Sequence, residues 1–436
     1  MKIRDFLEID FFLLFASIAL TVFGILFIYS SGVTSTGVLV SNEYIRQIIW
    51  GIAGFVIALV LSQVNYGRIR GLSVYLYLGN LALILYTIFF GREVNGARSW
   101  VGIGSFGIQP SEFAKITTIL LLARYLADSD RSGNSFLRFA ISCLIVFVPM
   151  GLILMQPDFG TSLVFIPILL VMTFIAGIAL RYIIFMIALI GITGILMVLP
   201  LWQSFILREN IPFLNFLSNA RFTAITALGL TVIAFIALYG YIKYKKKYFY
   251  WILYSAAIAV LSLGASFLSH KVLKEYQIKR LIVFLDPEVD PRGAGWNIIQ
   301  SVIAIGSGGL SGKGYLQGTQ SHYRFLPQQS TDFIFSIFTE EAGFLGGLVV
   351  FALFLIMVLR LIKIIKITND PFGAYISAGL AGMFVFHFLI NVGMTMGIMP
   401  ITGIPLLFMS YGGSAIISAM TGIGLAMSVH VRRFHH

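Results

Sequence analysis

The sequence predicts an all-α polytopic integral membrane protein, and three observations point to that fold class. Of the 436 residues, 58% are hydrophobic and only 11% are charged, whereas a soluble chain carries about 25% charged residues. Apolar runs of about 20 residues, the length of a helix that crosses a bilayer, recur along the whole chain. The charged residues cluster in the connections between those runs. Helices also satisfy their backbone hydrogen bonds internally, as a chain in lipid requires.

About twelve transmembrane helices and one large ordered extracytoplasmic loop are predicted, within a single transmembrane domain over residues 1–436. The loop is 269–332, because structureless connections longer than about 15 residues are uncommon and this one contains the apolar segment "WNIIQSVIAIG". The predicted spans are 11–31, 46–64, 73–90, 110–127, 137–155, 160–179, 182–201, 222–242, 250–268, 333–359, 372–397 and 403–429.

Lysine and arginine residues set the predicted orientation, with both termini in the cytoplasm. Every second connection is rich in them, including the run 243–247, and the C-terminal tail holds Arg432 and Arg433, as expected of cytoplasmic segments. The loop 269–332 then lies outside, since long loops cross the membrane largely regardless of charge. This distribution accounts for the net charge of +12 without a nucleic-acid partner.

Two common kinds of site are not indicated by the sequence. Cys143 is the one cysteine, so the chain has no internal disulfide and no Cys-x-x-Cys zinc site. The glycine-rich segment "GSGGLSGKG" (306–314) departs from a phosphate-binding loop, because Ser307 stands where the first glycine is needed and Gly314 where Ser or Thr is needed. A loop with positive-φ glycines is the favoured interpretation, although Lys313 can still contact an anionic ligand.

Glu112 and Lys115 are the first candidate functional pair. They lie three residues apart in "QPSEFAKI", at the start of a predicted span that Pro110 suits as a first helical residue. That spacing puts both side chains on one helix face. A structural ion pair between spans is one interpretation. Ionisable residues inside a membrane more often mark a functional cavity, so we favour a role in substrate binding.

Three further candidates lie in predicted outer connections. Asp158, in "LMQPDFGTS", can cap the following helix or bind a ligand, and both interpretations stay open. Arg98, in "REVNGARSW", can pair with a phosphate. Trp100 follows it and is also ordinary for an aromatic belt at the membrane surface.

Asp332 is the carboxylate that most needs an explanation. It ends the polar segment "LPQQSTD" and stands at the entrance to a span, where a charge is costly. Glu340 and Glu341 follow inside that span, so at least one of them should face a cavity or a partner. His387 and Asn391 are four residues apart and share a helix face, where hydrogen bonding between helices is the favoured role.

Several long motifs carry a family resemblance. They are "FLDPEVDPRGAGWNIIQSVIAIGSGGLSGKG", "FLPQQSTDFIF", "EEAGFLG" and "GIPLLFMSYGGSA", with "QPSEFAK" and "QPDFGTS" at matching places. The chain resembles the SEDS family (shape, elongation, division and sporulation) over nearly all its length except roughly 201–268. The resemblance implies a peptidoglycan glycosyltransferase that polymerises lipid II into glycan strands at the outer face of the bacterial plasma (inner) membrane during cell elongation.

The resemblance also implies partners and a catalytic residue. The implied partners are lipid II and the growing glycan strand, a class B penicillin-binding protein that acts as transpeptidase, and other membrane proteins of the elongation complex. Asp332, in the "TDF" motif, is implied to be the essential acid. A carboxylate there can take the proton of a sugar hydroxyl as general base. The lipid diphosphate that leaves needs positive charge, from a divalent metal cation of open identity or from Lys115, Arg98, Lys279, Arg280, Lys313 and Arg324.

Two departures from the family pattern are expected to matter. The family usually has about ten spans, so residues 201–250 are predicted to form an extra membrane hairpin. Gln328 stands where the family often has Glu, which a mechanism with one base tolerates. Two competing functions remain at this point: a lipid II flippase, and a non-catalytic scaffold of the cell-wall synthesis complex. Asp332 at the outer edge favours the enzyme over the flippase, and intact Glu112 and Lys115 argue against the scaffold.

Overall fold

The computed structural model describes residues 9–94, 97–103, 106–129, 133–203, 206, 220–272, 275–291 and 293–433. The α-helices there are α1 (Phe11–Gly32), α2 (Glu43–Gln63), α3 (Tyr66–Phe90), α4 (Pro110–Asp128), α5 (Ser135–Met155), α6 (Phe159–Leu163), α7 (Phe165–Ile175), α8 (Leu180–Trp202), α9 (Ala220–Tyr244), α10 (Lys247–Val272), α11 (Glu275–Leu285), α12 (Ala294–Ser307), α13 (Thr319–His322), α14 (Ile334–Ile367), α15 (Pro371–Thr395) and α16 (Gly413–Val431). The strands are β1 (Arg92–Val94), β2 (Ala97–Ile103) and β3 (Phe106–Ile108), and Pro287–Val289 is a short 3-10 helix.

The helices confirm the predicted all-α polytopic fold class. Among the described residues, 10 helices are long and apolar enough to cross a membrane, judged by length and composition: α1, α2, α3, α5, α8, α9, α10, α14, α15 and α16. The two other predicted spans also correspond to helical structure. The span 110–127 is α4, which carries an internal ion pair, and 160–179 is the shorter apolar segment Phe159–Ile175, divided between α6 and α7.

The chain divides into two compact units, residues up to 178 together with those from 297 onward, and residues 179–296. The single transmembrane domain over 1–436 stays a prediction. In the first unit α15 and α16 are the most enclosed spans, with 72% and 83% of their apolar windows buried. Small residues allow this packing. A Cβ atom at Gly424 of α16 would lie 2.8 Å from the carbonyl oxygen of Ala58 on α2.

The glycine-rich segment 306–314 is an ordered loop that lies against a kink in α14. Gly343 interrupts α14 with φ +70°, and a Cβ atom there would lie 2.2 Å from the amide nitrogen of Gly312. The amide of Phe344 donates to the carbonyl of Gly309 at 2.9 Å, and that of Lys313 donates to the carbonyl of Glu340 at 3.0 Å. Gly309 and Gly312 have positive φ, which confirms the predicted positive-φ glycines of this segment.

A three-stranded antiparallel sheet, in the order β1-β2-β3, stands between α3 and α4. It is the one β-sheet among the described residues. The strands pair Arg92 with Trp100 and Val101 with Ile108. The hairpins are short, and their alternation of apolar and polar residues is too brief to distinguish them from an irregular loop in the sequence.

The second unit contains α8, α9, α10 and α11. Helices α9 and α10 form a pair joined by Lys245 and Lys246, with Lys245 at φ +51°. The ring of Phe249 lies against Gly240, since a Cβ atom there would come within 2.5 Å of it. This pair falls partly within the segment 201–250. That this segment is an addition relative to the family, and that the loop 269–332 lies outside the cytoplasm, stay predictions.

Candidate active site

Asp332 occupies the junction between an irregular polar loop and α14. The residues that follow it, Phe333 and Ile334, are buried at 2% and 0% exposure, whereas Asp332 itself is partly exposed. Burial of these apolar neighbours anchors the chain and leaves the acid at the mouth of the helix. The N-terminal end of a helix carries partial positive charge, which attracts negatively charged groups.

The backbone around Asp332 is held by side chains and loops that are distant in sequence. The Asn391 side-chain amide on α15 donates to the carbonyl oxygen of Asp332 at 2.9 Å and to that of Ile404 at 2.8 Å. The amide of Tyr411 donates to the carbonyl of Ser330 at 2.8 Å. The motif segments 325–335 and 403–415 therefore meet at one place, and Asn391 links them.

Glu112 and Lys115 form a buried ion pair on α4. Lys115 Nζ lies 2.9 Å from Glu112 Oε2, and the two side chains are 1% and 4% exposed, respectively. The predicted shared helix face is confirmed. Lys115 Nζ also lies 3.1 Å from Nε2 of His387 on α15. The Lys115 ammonium group therefore contacts two protein side chains, Glu112 and His387. These contacts are the ones expected of a structural ion pair between spans. A direct role in substrate binding stays a prediction.

His387 is held in one tautomer by its second nitrogen. Nδ1 lies 3.0 Å from the carbonyl oxygen of Pro405, which can only accept a hydrogen bond. Nδ1 must then carry the proton, and in the neutral ring Nε2 accepts from Lys115. His387 and Asn391 are separated by one turn, about 6 Å along the axis. A single face of α15 thus contacts both the ion pair and the Asp332 loop. The predicted hydrogen bonding between helices is confirmed for His387, whereas Asn391 donates to two loop carbonyls.

Asp158 caps α6, as one of its two interpretations required. Its carboxylate accepts from the amide of Thr161 at 3.1 Å, from the Thr161 hydroxyl at 2.8 Å and from the Gln109 side-chain amide at 2.9 Å. Loss of water contact raises the pKa of Asp158, and the hydrogen bonds from Thr161 oppose that rise. Ligand binding by Asp158 stays a prediction.

Arg98 and Trp100 lie on β2. The Arg98 guanidinium and the Glu93 carboxylate are 3.5 Å apart, and both side chains are more than half exposed, so solvent weakens this pair. The Trp100 ring lies over Gly107 of β3, where a Cβ atom would be 3.0 Å away. Trp100 therefore stabilises the sheet, and Arg98 keeps an accessible positive charge.

The other predicted cations are in different surroundings. Lys313 Nζ is 2.7 Å from Glu340 Oε1, so a protein carboxylate already neutralises it. Arg324 is exposed and has φ +57°. Arg280 lies on α11 in the second unit and is partly exposed. Lys279 is on the same helix, and its side chain lies outside the described residues.

Glu340 and Glu341 accept hydrogen bonds from the loop that precedes Asp332. The sequence predicted only that at least one of them faces a cavity or a partner. Besides Lys313, Glu340 accepts from the amide of Thr319 at 2.9 Å. Glu341 accepts from the Ser30 hydroxyl at 2.5 Å and from the amide of Leu316 at 3.0 Å. Their position inside an apolar span indicates that donors lie nearby, because a buried carboxylate is costly unless it is hydrogen-bonded.

Gln47 and Gln109 were overlooked in the sequence. The Gln47 side chain on α2 donates to the carbonyl of Ser410 at 3.0 Å and accepts from the amide of Gly412 at 3.2 Å. Gln109 is the partner of Asp158. Gln47 could have been found from the sequence as an isolated glutamine in an apolar helix, because a buried side-chain amide needs hydrogen-bond partners.

No group of three or more His, Cys, Asp or Glu side chains that could hold a metal ion occurs in the described part of the chain. The described residues therefore do not fit a metal site built from protein ligands alone. The divalent cation stays a prediction, and no catalytic step is assigned to it.

Comparison with known proteins gives full-length matches. A family model described as a cell cycle protein, FtsW/RodA/SpoVE, matches residues 11–223 and 221–435. Peptidoglycan glycosyltransferase RodA of Treponema pallidum (strain Nichols) is 50% identical over 433 residues, which cover 99% of this chain and 100% of that protein. Peptidoglycan glycosyltransferase MrdB of Escherichia coli (strain K12) is 33% identical over 429 residues, 98% of this chain and 95% of that protein.

Solved structures share the fold. A chain from a study of structural coordination of polymerization and crosslinking by a peptidoglycan synthase complex has a TM-score of 0.67 and 26% identity, and the match covers 98% of this chain and 99% of that one. The rod shape determining protein RodA of Thermus thermophilus has a TM-score of 0.60 and 23% identity, with 98% of both chains covered.

The buried ion pair yields a stability prediction. Lys115→Met leaves the Glu112 carboxylate and His387 Nε2 without their donor, and Glu112→Gln leaves the Lys115 ammonium without its counter-charge. Either change costs about 3–5 kcal/mol of unfolding free energy. The double variant removes both and should recover most of that loss. The measurement is thermal unfolding in detergent, followed by size-exclusion chromatography.

A matched control uses the exposed pair Arg98 and Glu93, whose replacement by glutamines should leave the unfolding temperature unchanged. If the double variant at 112 and 115 is as unstable as the sum of the single variants, the two groups do not act as a pair.

Proposed function

This chain belongs to the FtsW/RodA/SpoVE family of cell cycle proteins, and we propose that it is a peptidoglycan glycosyltransferase of cell elongation. Full-length relatives at 50% and 33% identity carry that activity in their names. The observation that supports it best within the molecule is Asp332, a partly exposed carboxylate at the start of α14 whose backbone carbonyl is held by Asn391.

The proposed substrate is lipid II, and the proposed product is a longer glycan strand. In the transfer, a hydroxyl oxygen of the acceptor sugar attacks the anomeric carbon of the donor sugar. The bond from that carbon to the lipid diphosphate breaks, and the configuration inverts. The hydroxyl proton passes to a carboxylate oxygen of Asp332, which acts as general base.

The diphosphate that leaves carries negative charge, which fixed cations stabilise in the transition state. Of the predicted cations in the first unit, Arg98 and Arg324 are exposed, whereas Lys115 is enclosed by Glu112 and His387. We assign direct contact with the diphosphate to the exposed arginines. Lys115 and Glu112 then act indirectly, by holding α4 against α15.

A class B penicillin-binding protein is the proposed partner. The support is the similar chain from a peptidoglycan synthase complex that combines polymerization and crosslinking. Crosslinking is transpeptidation, which would follow polymerisation on the same strand. Other membrane proteins of an elongation complex are proposed as further partners, and no contact with them is assigned to a particular surface.

Replacement of the proposed base tests the function directly. Asp332→Asn keeps the size of the side chain and removes its basicity, so glycan-strand formation from labelled lipid II should fall by about 10²–10⁴-fold. Binding of lipid II should stay near that of the wild type. The control is Asp128→Asn at the far end of α4, which should polymerise normally.

Polymerisation by Asp332→Asn at the wild-type rate would overturn the general-base assignment. Equal loss of binding and rate would make Asp332 a substrate ligand instead. Absence of polymerisation by the wild type, together with transport of lipid II between leaflets, would favour the flippase. Absence of both activities would favour the scaffold.

The chain is a multi-pass membrane protein, and we propose the bacterial plasma (inner) membrane with both termini in the cytoplasm. To test this, Cys143 is replaced by Ala and single cysteines are placed at Lys246 and Asn42. An impermeant thiol reagent added to spheroplasts, or to cells with a permeabilised outer layer, should label the cysteine at 42 and spare that at 246. The opposite pattern would invert the topology.

A further inference from the structure

One end of the second unit combines five exposed positive charges. Arg181 lies at the start of α8, and Lys243, Lys245, Lys246 and Lys247 surround the junction of α9 and α10. Residues 179–208 and 220–272 contain no Asp or Glu. The acidic residues of the 3-10 helix region, 286–290, follow the far end of α10, about 39 Å from Lys247 along a 26-residue helix.

Aromatic side chains connect these charges into one surface. The Arg181 guanidinium lies over the ring of Tyr182 at 4.9 Å and over that of Tyr250 at 5.8 Å. The Tyr254 hydroxyl donates to the carbonyl of Arg181 at 2.6 Å. Tyr241 contacts Tyr250 with ring centroids 6.0 Å apart. Helices α8, α9 and α10 therefore meet here.

The aromatic surface continues to the lysines. Lys243 Nζ lies over the rings of Tyr239 and Tyr244, at 5.6 and 5.5 Å. Tyr248 and Trp251 are each 57% exposed. Tyrosine and tryptophan with one wet and one apolar side are typical of the level of lipid headgroups. The charges and the aromatic rings thus place this end of the unit at a membrane surface.

The charges at this end repel one another and lack a protein anion in the sequence nearby. The N-termini of α8 and α10 add partial positive charge at the same end and the C-terminus of α9 adds partial negative charge, so one positive helix end is in excess. Such an end favours a bound anion. Because apolar helices extend from it, the anion has to be compatible with an adjacent hydrocarbon phase.

We propose that this basic aromatic end, formed by Arg181, Tyr182, 239–251 and Tyr254, binds the phosphate headgroups of anionic phospholipids. The lysines contact the phosphates, the hydroxyls of the exposed Tyr244 and Tyr248 donate to headgroup oxygens, and the acyl chains lie along the exposed apolar faces of α9 and α10. The role is separate from glycosyl transfer and goes beyond it, since it concerns the lipid environment that the second unit selects.

Native mass spectrometry of the purified full chain tests this proposal. The protein is titrated with phosphatidylglycerol or with phosphatidylcholine of the same acyl chains. Phosphatidylglycerol should bind more tightly, and the difference should shrink as salt rises. Lys245→Gln/Lys246→Gln/Lys247→Gln should weaken phosphatidylglycerol binding by at least tenfold, since each lysine near an anionic lipid is worth roughly fivefold.

The matched control removes the same charge elsewhere, with Arg68→Gln/Lys363→Gln/Lys366→Gln, three exposed cations of the first unit. It should keep wild-type affinity, and both triple variants should elute as monodisperse protein. Equal binding of the two lipids, or equal loss in the two triple variants, would overturn the proposal. So would displacement of the lipid by millimolar inorganic phosphate, which would identify a site for a soluble anion.

Discussion

The first unit depends on one buried ammonium group, that of Lys115. A lone charge in an apolar interior is very costly, and pairing with hydrogen bonds removes most of that cost. Glu112 supplies the counter-charge at 2.9 Å and His387 a second acceptor at 3.1 Å. Loss of either partner would leave the Lys115 ammonium with an unsatisfied donor in an apolar interior. This constraint holds α4 against α15 and fixes which face of α15 points towards the Asp332 loop.

The Asp332 loop is held from two sides by buried polar side chains that hydrogen-bond to it. On one side Asn391, a turn from His387, binds the carbonyl of Asp332 itself. On the other, Glu340 and Glu341 are fully enclosed in α14 and are satisfied by donors of the preceding loop and by Ser30 of α1. Burial makes each of these carboxylates depend on its donors. The loop is consequently ordered before any substrate arrives, which general-base catalysis requires of its base.

Much of this arrangement could be predicted from the sequence, and the reasons for the remainder are physical. Apolar runs predicted the helices, because lipid permits few alternatives to a helix. The spacing of Glu112 and Lys115 predicted a shared helix face, and the "TDF" motif indicated Asp332 as the candidate catalytic acid. Enclosure of Lys115 could not be predicted, because it depends on His387, which is 272 residues away. Neutralisation of Lys313 by Glu340 could not be predicted either. The two residues are 27 positions apart, and the kink at Gly343 packs against the loop next to Lys313. The short strands carried too few residues for a periodic pattern.

We conclude that Asn391, one turn along α15 from the Lys115 partner His387, holds the Asp332 loop in place. Hydrogen–deuterium exchange of Asn391→Leu measures this most directly, because leucine keeps the volume and removes both donated bonds. We expect faster exchange in peptides covering 328–336 and unchanged exchange in 110–120. Asn80→Leu, which removes a similar buried bond from α3 to the carbonyl of Pro110, should leave 328–336 unchanged. Wild-type exchange at 328–336 in Asn391→Leu would show that Asn391 does not hold the Asp332 loop.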